Sequence, residues 1–78
     1  MDKTITVYST PTCPYCIRVK QFLKENNVAF QNIDVSSDQA QAEKMISISG
    51  QMGVPVIDID GEIIVGFDKG RISQALGL

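Results

Sequence analysis

Two cysteines separated by two residues are the chemically reactive feature of this sequence. Cys13 and Cys16 are the only cysteines of the chain, and they enclose Pro14 and Tyr15. A disulfide between such close neighbours closes a very small loop, so it restricts the unfolded chain little and would be a weak structural crosslink. In a reducing compartment, a pair at this spacing is expected to cycle between dithiol and disulfide. The pair therefore predicts thiol–disulfide redox chemistry.

Two other uses of the cysteine pair are open at this point: packing in the core, or half of a metal site. A tetrahedral zinc site takes four ligands, usually cysteine or histidine. The chain has no histidine and no third cysteine, which excludes a complete cysteine–histidine site within one chain. A metal or cluster shared between two subunits stays possible by this count, but we expect no metal ligands.

The two cysteines are expected to have different roles because of their places on a predicted helix. Pro14 suits the first position of a helix, where its missing N–H is not needed. Cys13 then lies at the helix start, where unpaired N–H groups and the helix dipole favour a negative sulfur. Cys16 lies one turn further on, against the helix body. We predict that Cys13 attacks a substrate disulfide and that Cys16 resolves the mixed disulfide.

The pattern along the chain predicts strands and helices in the order β-α-β-α-β-β-α. Short runs rich in β-branched residues indicate strands, Asp-Gly between two of them indicates a hairpin, and spaced apolar residues indicate helices. The predicted strands cover residues 4–8, 28–35, 54–59 and 62–65. The predicted helices run from Pro14 to near Asn26-Asn27, from a cap within Ser36-Ser37-Asp38 to Gly50, and from the cap Asp68 to Leu76.

These elements predict an α/β domain with a mixed four-stranded sheet flanked by three helices. A βαβ unit pairs its strands in parallel, and the hairpin adds antiparallel strands. We expect one domain over residues 1–78, because so short a chain cannot be divided into two cores. The helix residues predicted to face the core are Cys16, Val19, Phe22 and Leu23; Ala42, Met45, Ile46 and Ser49; and Ile72, Ala75 and Leu76. Core packing is also the favoured prediction for Met52 and Phe30. Gln51 and Met52 come shortly before Pro55, and a place lining a groove beside it is the alternative for these two residues.

The composition excludes several classes of partner. Seven basic and nine acidic residues give a net charge of -2, and without a basic run no nucleic acid is expected to bind. No apolar segment is long enough to span a membrane, and the N-terminus lacks the pattern of a signal peptide. We therefore expect a cytoplasmic protein without a membrane partner, and a monomer as the simplest state.

The sequence resembles the glutaredoxins and glutaredoxin-like redoxins nearly from end to end. The residues that carry the resemblance are Cys13-Pro14-Tyr15-Cys16, Gly53-Val54-Pro55 and Gly66-Phe67-Asp68, in this order along the chain. The tetrapeptide is typical of dithiol glutaredoxins. The resemblance implies the minimal thioredoxin fold and a thiol–disulfide oxidoreductase that reduces protein disulfides and glutathione mixed disulfides.

The resemblance also implies site residues around the two catalytic cysteines. It implies that Pro14, Tyr15 and a cis Pro55 support the active site. It also implies that the backbone of Val54 pairs with the substrate peptide. It assigns glutathione or substrate binding to Thr12, Gly53, Val54, Pro55, Gly66, Phe67 and Asp68. From the residues alone, Pro55 could equally begin a strand and Asp68 could be a helix cap.

The resemblance implies glutathione as co-substrate, no bound cofactor, and either glutathione or thioredoxin reductase as the source of electrons. Two departures bear on that choice. Glutathione-using members usually have a lysine where this chain has Thr10, and a second glycine where it has Val65. Gly66-Phe67 is more similar to redoxins that donate electrons to ribonucleotide reductase. A further alternative is an iron–sulfur carrier with a cluster between two Cys13 thiolates, although relatives of that kind usually have a smaller residue in place of Pro14.

Overall fold

The computed structural model describes residues 4–78, which form four strands and three helices in the predicted order. The strands are β1 (Ile5–Ser9), β2 (Gln31–Asp34), β3 (Val56–Ile59) and β4 (Glu62–Val65). The helices are α1 (Pro14–Glu25), α2 (Gln39–Ser49) and α3 (Lys69–Leu76). No helix in this part of the chain has both the length and the apolar character needed to cross a membrane.

The strands form one mixed sheet in the order β2-β1-β3-β4. β1 pairs with β2 in parallel, whereas β3 is antiparallel to both β1 and β4. The β3–β4 turn has Asp60 at φ 52° and Gly61 at φ 99°, as the Asp-Gly signal predicts. Asp58 Oδ1 accepts a hydrogen bond of 2.8 Å from the Gly61 N–H and closes the turn. The predicted α/β class and mixed sheet are thus confirmed.

Apolar side chains cover the sheet on both faces. On one face, Val7, Ile57 and Ile64 lie side by side on β1, β3 and β4 and are fully buried. They belong to one cluster with Val19 and Leu23 of α1 and with Ile72 and Ala75 of α3. On the other face, Tyr8 and Val56 pack with Met45 of α2. The sheet therefore lies between α1 and α3 on one side and α2 on the other.

β2 is shorter than the predicted strand because Val28 completes the end of α1 instead. Asn27 has φ 58°, its N–H donates to Lys24 O, and the Val28 N–H donates to Leu23 O at 2.9 Å. This pair of bonds is the Schellman arrangement, which satisfies the last carbonyls of a helix. The side chain of Val28 packs against the cluster that contains Leu23. The β-branched residue that indicated a strand is therefore a helix-capping contact.

The buried face of α2 differs from the predicted one at a single position. Met45 is buried and Ala42 and Ser49 are half-buried, but Ile46 is exposed. Ile48 packs against the cluster on that face instead. Ile48 lies three residues after Met45 and so shares its face, whereas Ile46 is turned about 100° away from it. The predictions for α1 and α3 are confirmed, with Phe22 and Leu76 half-buried.

Candidate active site

Three chain segments meet at one edge of the sheet and form the candidate site. Tyr8 near the end of β1 pairs with Val56 at the start of β3, and Val56 pairs with Val65 at the end of β4. The loop after β1, the loop before β3 and the turn after β4 therefore lie at the same edge. These loops contain the three motifs that carry the family resemblance.

Cys13 is the N-cap residue of α1. Its backbone is extended, with φ -89° and ψ 113°, and its Sγ accepts a hydrogen bond of 3.2 Å from the Cys16 N–H. Pro14 occupies the first helical position, as predicted. The Cys16 N–H, at the positive end of the helix dipole, therefore points at the Cys13 sulfur. The side chain of Cys13 is half-buried, so the sulfur can meet a substrate.

Cys16 lies one turn further along α1 and is fully buried. Burial, which disfavours a charged sulfur, raises the pKa of the Cys16 thiol to about 11. The hydrogen bond to Cys13 and the Cys13 charge act in the same direction, whereas a Thr10 backbone contact and the Lys20 charge oppose them. Cys16 is therefore a neutral thiol at pH 7.

The loop before β3 brings a backbone carbonyl to the Cys13 sulfur. The Val54–Pro55 peptide bond is cis, as the resemblance implies, and the Pro55 side chain is buried. Cys13 Sγ donates to Val54 O across 3.8 Å. Pro55 O in turn accepts a hydrogen bond of 2.8 Å from the Gly66 N–H. These contacts join the cysteine loop, the proline loop and the turn after β4.

The segment after β4 combines a turn, a core contact and a helix cap. Gly66 has φ 82°, in the left-handed region that glycine adopts without strain. The Phe67 ring packs edge-on against Phe22, with 6.1 Å between the ring centroids. Asp68 Oδ1 accepts a hydrogen bond of 3.1 Å from the Arg71 N–H and caps α3. The cap predicted for Asp68 is thus present, and the Phe67 ring holds the segment against α1.

Three residues of the loops beside the cysteines and before Pro55 are exposed. The exposed fraction is 57% for Tyr15 and 78% for Met52, and Thr12 is exposed in the turn before Cys13. The Arg18 guanidinium lies 5.5 Å from the centre of the Tyr15 ring. The predicted core packing of Met52 is therefore wrong: the residue follows the end of α2 and lies on the loop that leads to Pro55, outside both apolar clusters.

A side-chain contact within the proline loop could not be read from the sequence pattern. The Gln51 amide donates a hydrogen bond of 3.0 Å to Gly53 O and accepts one from the Gly53 N–H. A glutamine two residues before a glycine, ahead of Val-Pro, is only a weak signal for such a contact. In the described part of the chain, no three His, Cys, Asp or Glu residues are grouped as metal ligands would be.

The fold that holds the two cysteines and the cis-proline loop is the thioredoxin fold. Two solved structures have this fold at high similarity. The thioredoxin-like protein BC3987 has a TM-score of 0.87 and 39% identity, covering 92% of this chain and 99% of that one. The glutaredoxin from Archaeoglobus fulgidus has a TM-score of 0.88 and 28% identity, covering 95% of this chain and 86% of that one.

The chain belongs to the glutaredoxin family, whose sequence model matches residues 5–64. It is 50% identical over 72 residues to an uncharacterized glutaredoxin-like 8.6 kDa protein in the rubredoxin operon of Clostridium pasteurianum, covering 92% of this chain and 96% of that protein. It is 41% identical over 64 residues to glutaredoxin 3 of Escherichia coli K12, covering 82% and 77% respectively. The protein is thus a glutaredoxin-type redox protein.

Proposed function

We propose that this protein is a dithiol oxidoreductase that reduces protein disulfides and glutathione mixed disulfides. The observation that carries the proposal is the asymmetry of the two thiols. Cys13 is half-buried at the start of α1, where its sulfur accepts the Cys16 N–H. Cys16 is fully buried and has a raised pKa. Cys13 Sγ is positioned to attack the substrate, and Cys16 remains a protonated thiol until it is needed for the second step.

In the first step, the Cys13 thiolate attacks one sulfur of the substrate disulfide. A Cys13–substrate disulfide forms, and the other substrate sulfur leaves as a thiolate that takes up a proton. In the second step, Cys16 loses its proton and attacks Cys13 Sγ, so that the remaining substrate thiol leaves and a Cys13–Cys16 disulfide forms. Two electrons have then moved from the protein to the substrate.

The mixed disulfide itself helps Cys16 to lose its proton. Two of the causes that raise the pKa of Cys16 are the hydrogen bond to Cys13 and the charge of Cys13. Neither acts in the same way once the Cys13 sulfur is bonded to substrate and neutral, so burial remains the main opposing cause. Deprotonation of Cys16 therefore becomes easier at the stage that requires it.

Glutathione is the proposed reductant and co-substrate, with no bound cofactor. Two glutathione molecules return the dithiol and leave as glutathione disulfide. The proposed binding surface comprises Thr12, the Gly53–Pro55 backbone and the Gly66–Asp68 segment, which meet at the edge of the sheet beside Cys13. Pro14 and Tyr15 complete the rim, and a cytoplasmic location accords with this thiol chemistry.

A second candidate function is a redoxin that is reduced by thioredoxin reductase and donates electrons to an enzyme such as ribonucleotide reductase. Thr10 favours this candidate, because a lysine at that position would supply a cation for a glutathione carboxylate. Val65 before Gly66 favours it as well. The two candidates share the cysteine chemistry and differ in the source of electrons.

Oxidation of NADPH in coupled assays tests both candidates. Glutathione with glutathione reductase is compared with thioredoxin reductase alone, each with a disulfide substrate. We expect turnover with wild-type protein, none with Cys13→Ser, and a mixed disulfide of substrate with Cys13 that accumulates in Cys16→Ser and is detected by mass. Turnover through glutathione supports the first candidate, and turnover through thioredoxin reductase alone supports the second. Full activity of the Cys13→Ser protein would contradict both.

A further inference from the structure

The side chain of Gln51 binds both polar backbone groups of one residue in the proline loop. Its Nε2 donates to Gly53 O at 3.0 Å, and its Oε1 accepts from the Gly53 N–H. This assignment of the amide follows from its partners, because the N–H needs an acceptor and the carbonyl needs a donor. The Gln51 amide thus holds the Gly53 backbone in one orientation.

Gly53 allows this contact because it has no side chain. A Cβ built at this position would lie 2.7 Å from Gln51 Oε1, closer than such atoms approach in proteins. Gly53 does not have the positive φ of Gly50 or Gly66, so its backbone conformation does not require glycine. Glycine therefore leaves room for the Gln51 amide, and a residue with a Cβ would displace the end of that side chain.

Ser49 connects the Gln51 side chain to the end of α2. Gln51 Nε2 donates to Ser49 Oγ at 3.3 Å. Ser49 Oγ also lies 2.6 Å from Met45 O and 3.0 Å from Gln51 O. Met45 is buried against Tyr8 and Val56. The loop is therefore held to a packed helix at one end and to β3 at the other.

We propose that Gln51 is a positioning residue that fixes the loop conformation in which Val54 pairs with a substrate backbone. This inference rests on the proposed function. Because Gln51 binds both polar groups of Gly53, the adjoining Val54 is held in one orientation toward a peptide that adds as a strand to this loop. Val54 O is the carbonyl that contacts Cys13 Sγ. Pairing at Val54 therefore aligns the peptide disulfide with the attacking sulfur.

Reaction rates with two disulfides separate this role from a general effect on the site. One probe is a peptide disulfide, which can pair with Val54. The other is bis(2-hydroxyethyl) disulfide, which has no peptide backbone. Single-turnover rates of the reduced protein make the result independent of the physiological reductant. The variants are Gln51→Ala, Gly53→Ala and the double mutant, with Gln74→Ala on the exposed side of α3 as the control.

We expect Gln51→Ala to slow the reaction with the peptide disulfide about tenfold, the effect of losing roughly one good hydrogen-bonded pairing. The rate with bis(2-hydroxyethyl) disulfide should change less than twofold. Gly53→Ala should also slow the reaction with the peptide disulfide, because its Cβ displaces the flexible end of Gln51. The double mutant should lose no more than either single mutant. Gln74→Ala should react with both disulfides as the wild type does.

Three results would overturn the inference. The first is an unchanged peptide rate in Gln51→Ala and in Gly53→Ala. The second is an equal loss with both disulfides, which would assign Gln51 a purely structural role. The third is full additivity in the double mutant. A wild-type protein that reduced neither disulfide would overturn the proposed function and this inference with it, whereas an active protein with unchanged selectivity would overturn the inference alone.

Discussion

At the scale of single residues, Cys13 and Cys16 differ in their exposure to solvent although they are close in sequence. Cys13 and Cys16 lie within one helical turn, yet only Cys13 has exposed surface. Transfer of a thiolate into an apolar environment is costly, so the pKa of Cys16 rises from 9.0 to about 11. This raised pKa has a consequence for stability as well as for catalysis.

The folded state of the reduced protein should lose stability in alkali through Cys16. A folded pKa above the unfolded value means that the folded protein holds this proton more tightly. The resulting stabilisation is fully present below pH 9 and is lost as the pH rises through about 11. A shift of this size corresponds to about 2–3 kcal/mol in the free energy of unfolding.

Urea unfolding of the reduced protein at pH 8 and pH 11 measures this loss. Tyrosine and lysine also titrate in this range, so the Cys16→Ala protein is the control. We expect the wild type to lose more stability than Cys16→Ala between the two pH values. An equal loss in both proteins would show that the pH dependence comes from other groups.

At the scale of elements, α2 and α3 begin with the same arrangement. Asp38 Oδ1 accepts the Gln41 N–H at 3.2 Å, and Asp68 Oδ1 accepts the Arg71 N–H at 3.1 Å. Both carboxylates are exposed caps. Only Asp68 follows directly on the Gly66 turn that is bonded to Pro55 O. The two aspartates therefore form a matched pair, of which one lies at the proposed glutathione site.

Substitution of Asp68 by asparagine should separate capping from binding. Asparagine caps helices about as well as aspartate, so the free energy of unfolding should change by only a few tenths of a kcal/mol. If the Asp68 carboxylate binds the ammonium group of glutathione, loss of its charge should raise KM for glutathione about tenfold. Asp68→Ala should in addition cost about 1 kcal/mol of stability.

Asp38→Asn is the control, and it should leave both stability and KM unchanged. The measurements are urea unfolding and steady-state kinetics with varied glutathione. An unaltered KM in Asp68→Asn would leave Asp68 as a helix cap alone and would favour the reductase-linked function.

Element order was predictable because each element has a local signal, whereas some boundaries depend on contacts between elements. The Asp60-Gly61 turn and the cap at Asp68 are local and occur where the sequence predicts them, and the cap of α2, Asp38, lies within the predicted polar run Ser36-Ser37-Asp38. The start of β2 does not follow from a local signal, because the Val28 N–H donates to Leu23 O and completes the end of α1. Val28 is of a residue type that favours strands, but its packing against α1 places it at the end of that helix.

At the scale of the whole molecule, the family resemblance implied which motifs lie near one another, but the sequence did not predict how they are held. The order of strands brings the loops of Cys13, Pro55 and Gly66 to one edge, and topology rules make this predictable. The Gln51 amide on Gly53 depends on distances within one loop, for which no sequence pattern exists. The exposure of Met52 is likewise a result of loop geometry, since its residue type favours the core.

The two apolar clusters share one sheet, so the molecule should unfold as a single unit. Leu23 is fully buried in the cluster of α1 and α3, and Met45 is 2% exposed in the cluster of α2. Ile57 and Val56 lie next to each other on β3 and point to opposite clusters. Loss of packing on either face therefore weakens the same strand.

Leu23→Ala and Met45→Ala should each lower the free energy of unfolding by about 2–5 kcal/mol, because each leaves a cavity in a packed cluster. Both should retain one cooperative transition, with circular dichroism and tyrosine fluorescence giving the same midpoint. Ile17→Ala, at a position on α1 that is 53% exposed, should change stability by less than about 0.5 kcal/mol. Separate midpoints in either core variant would mean that the two faces of the sheet unfold independently.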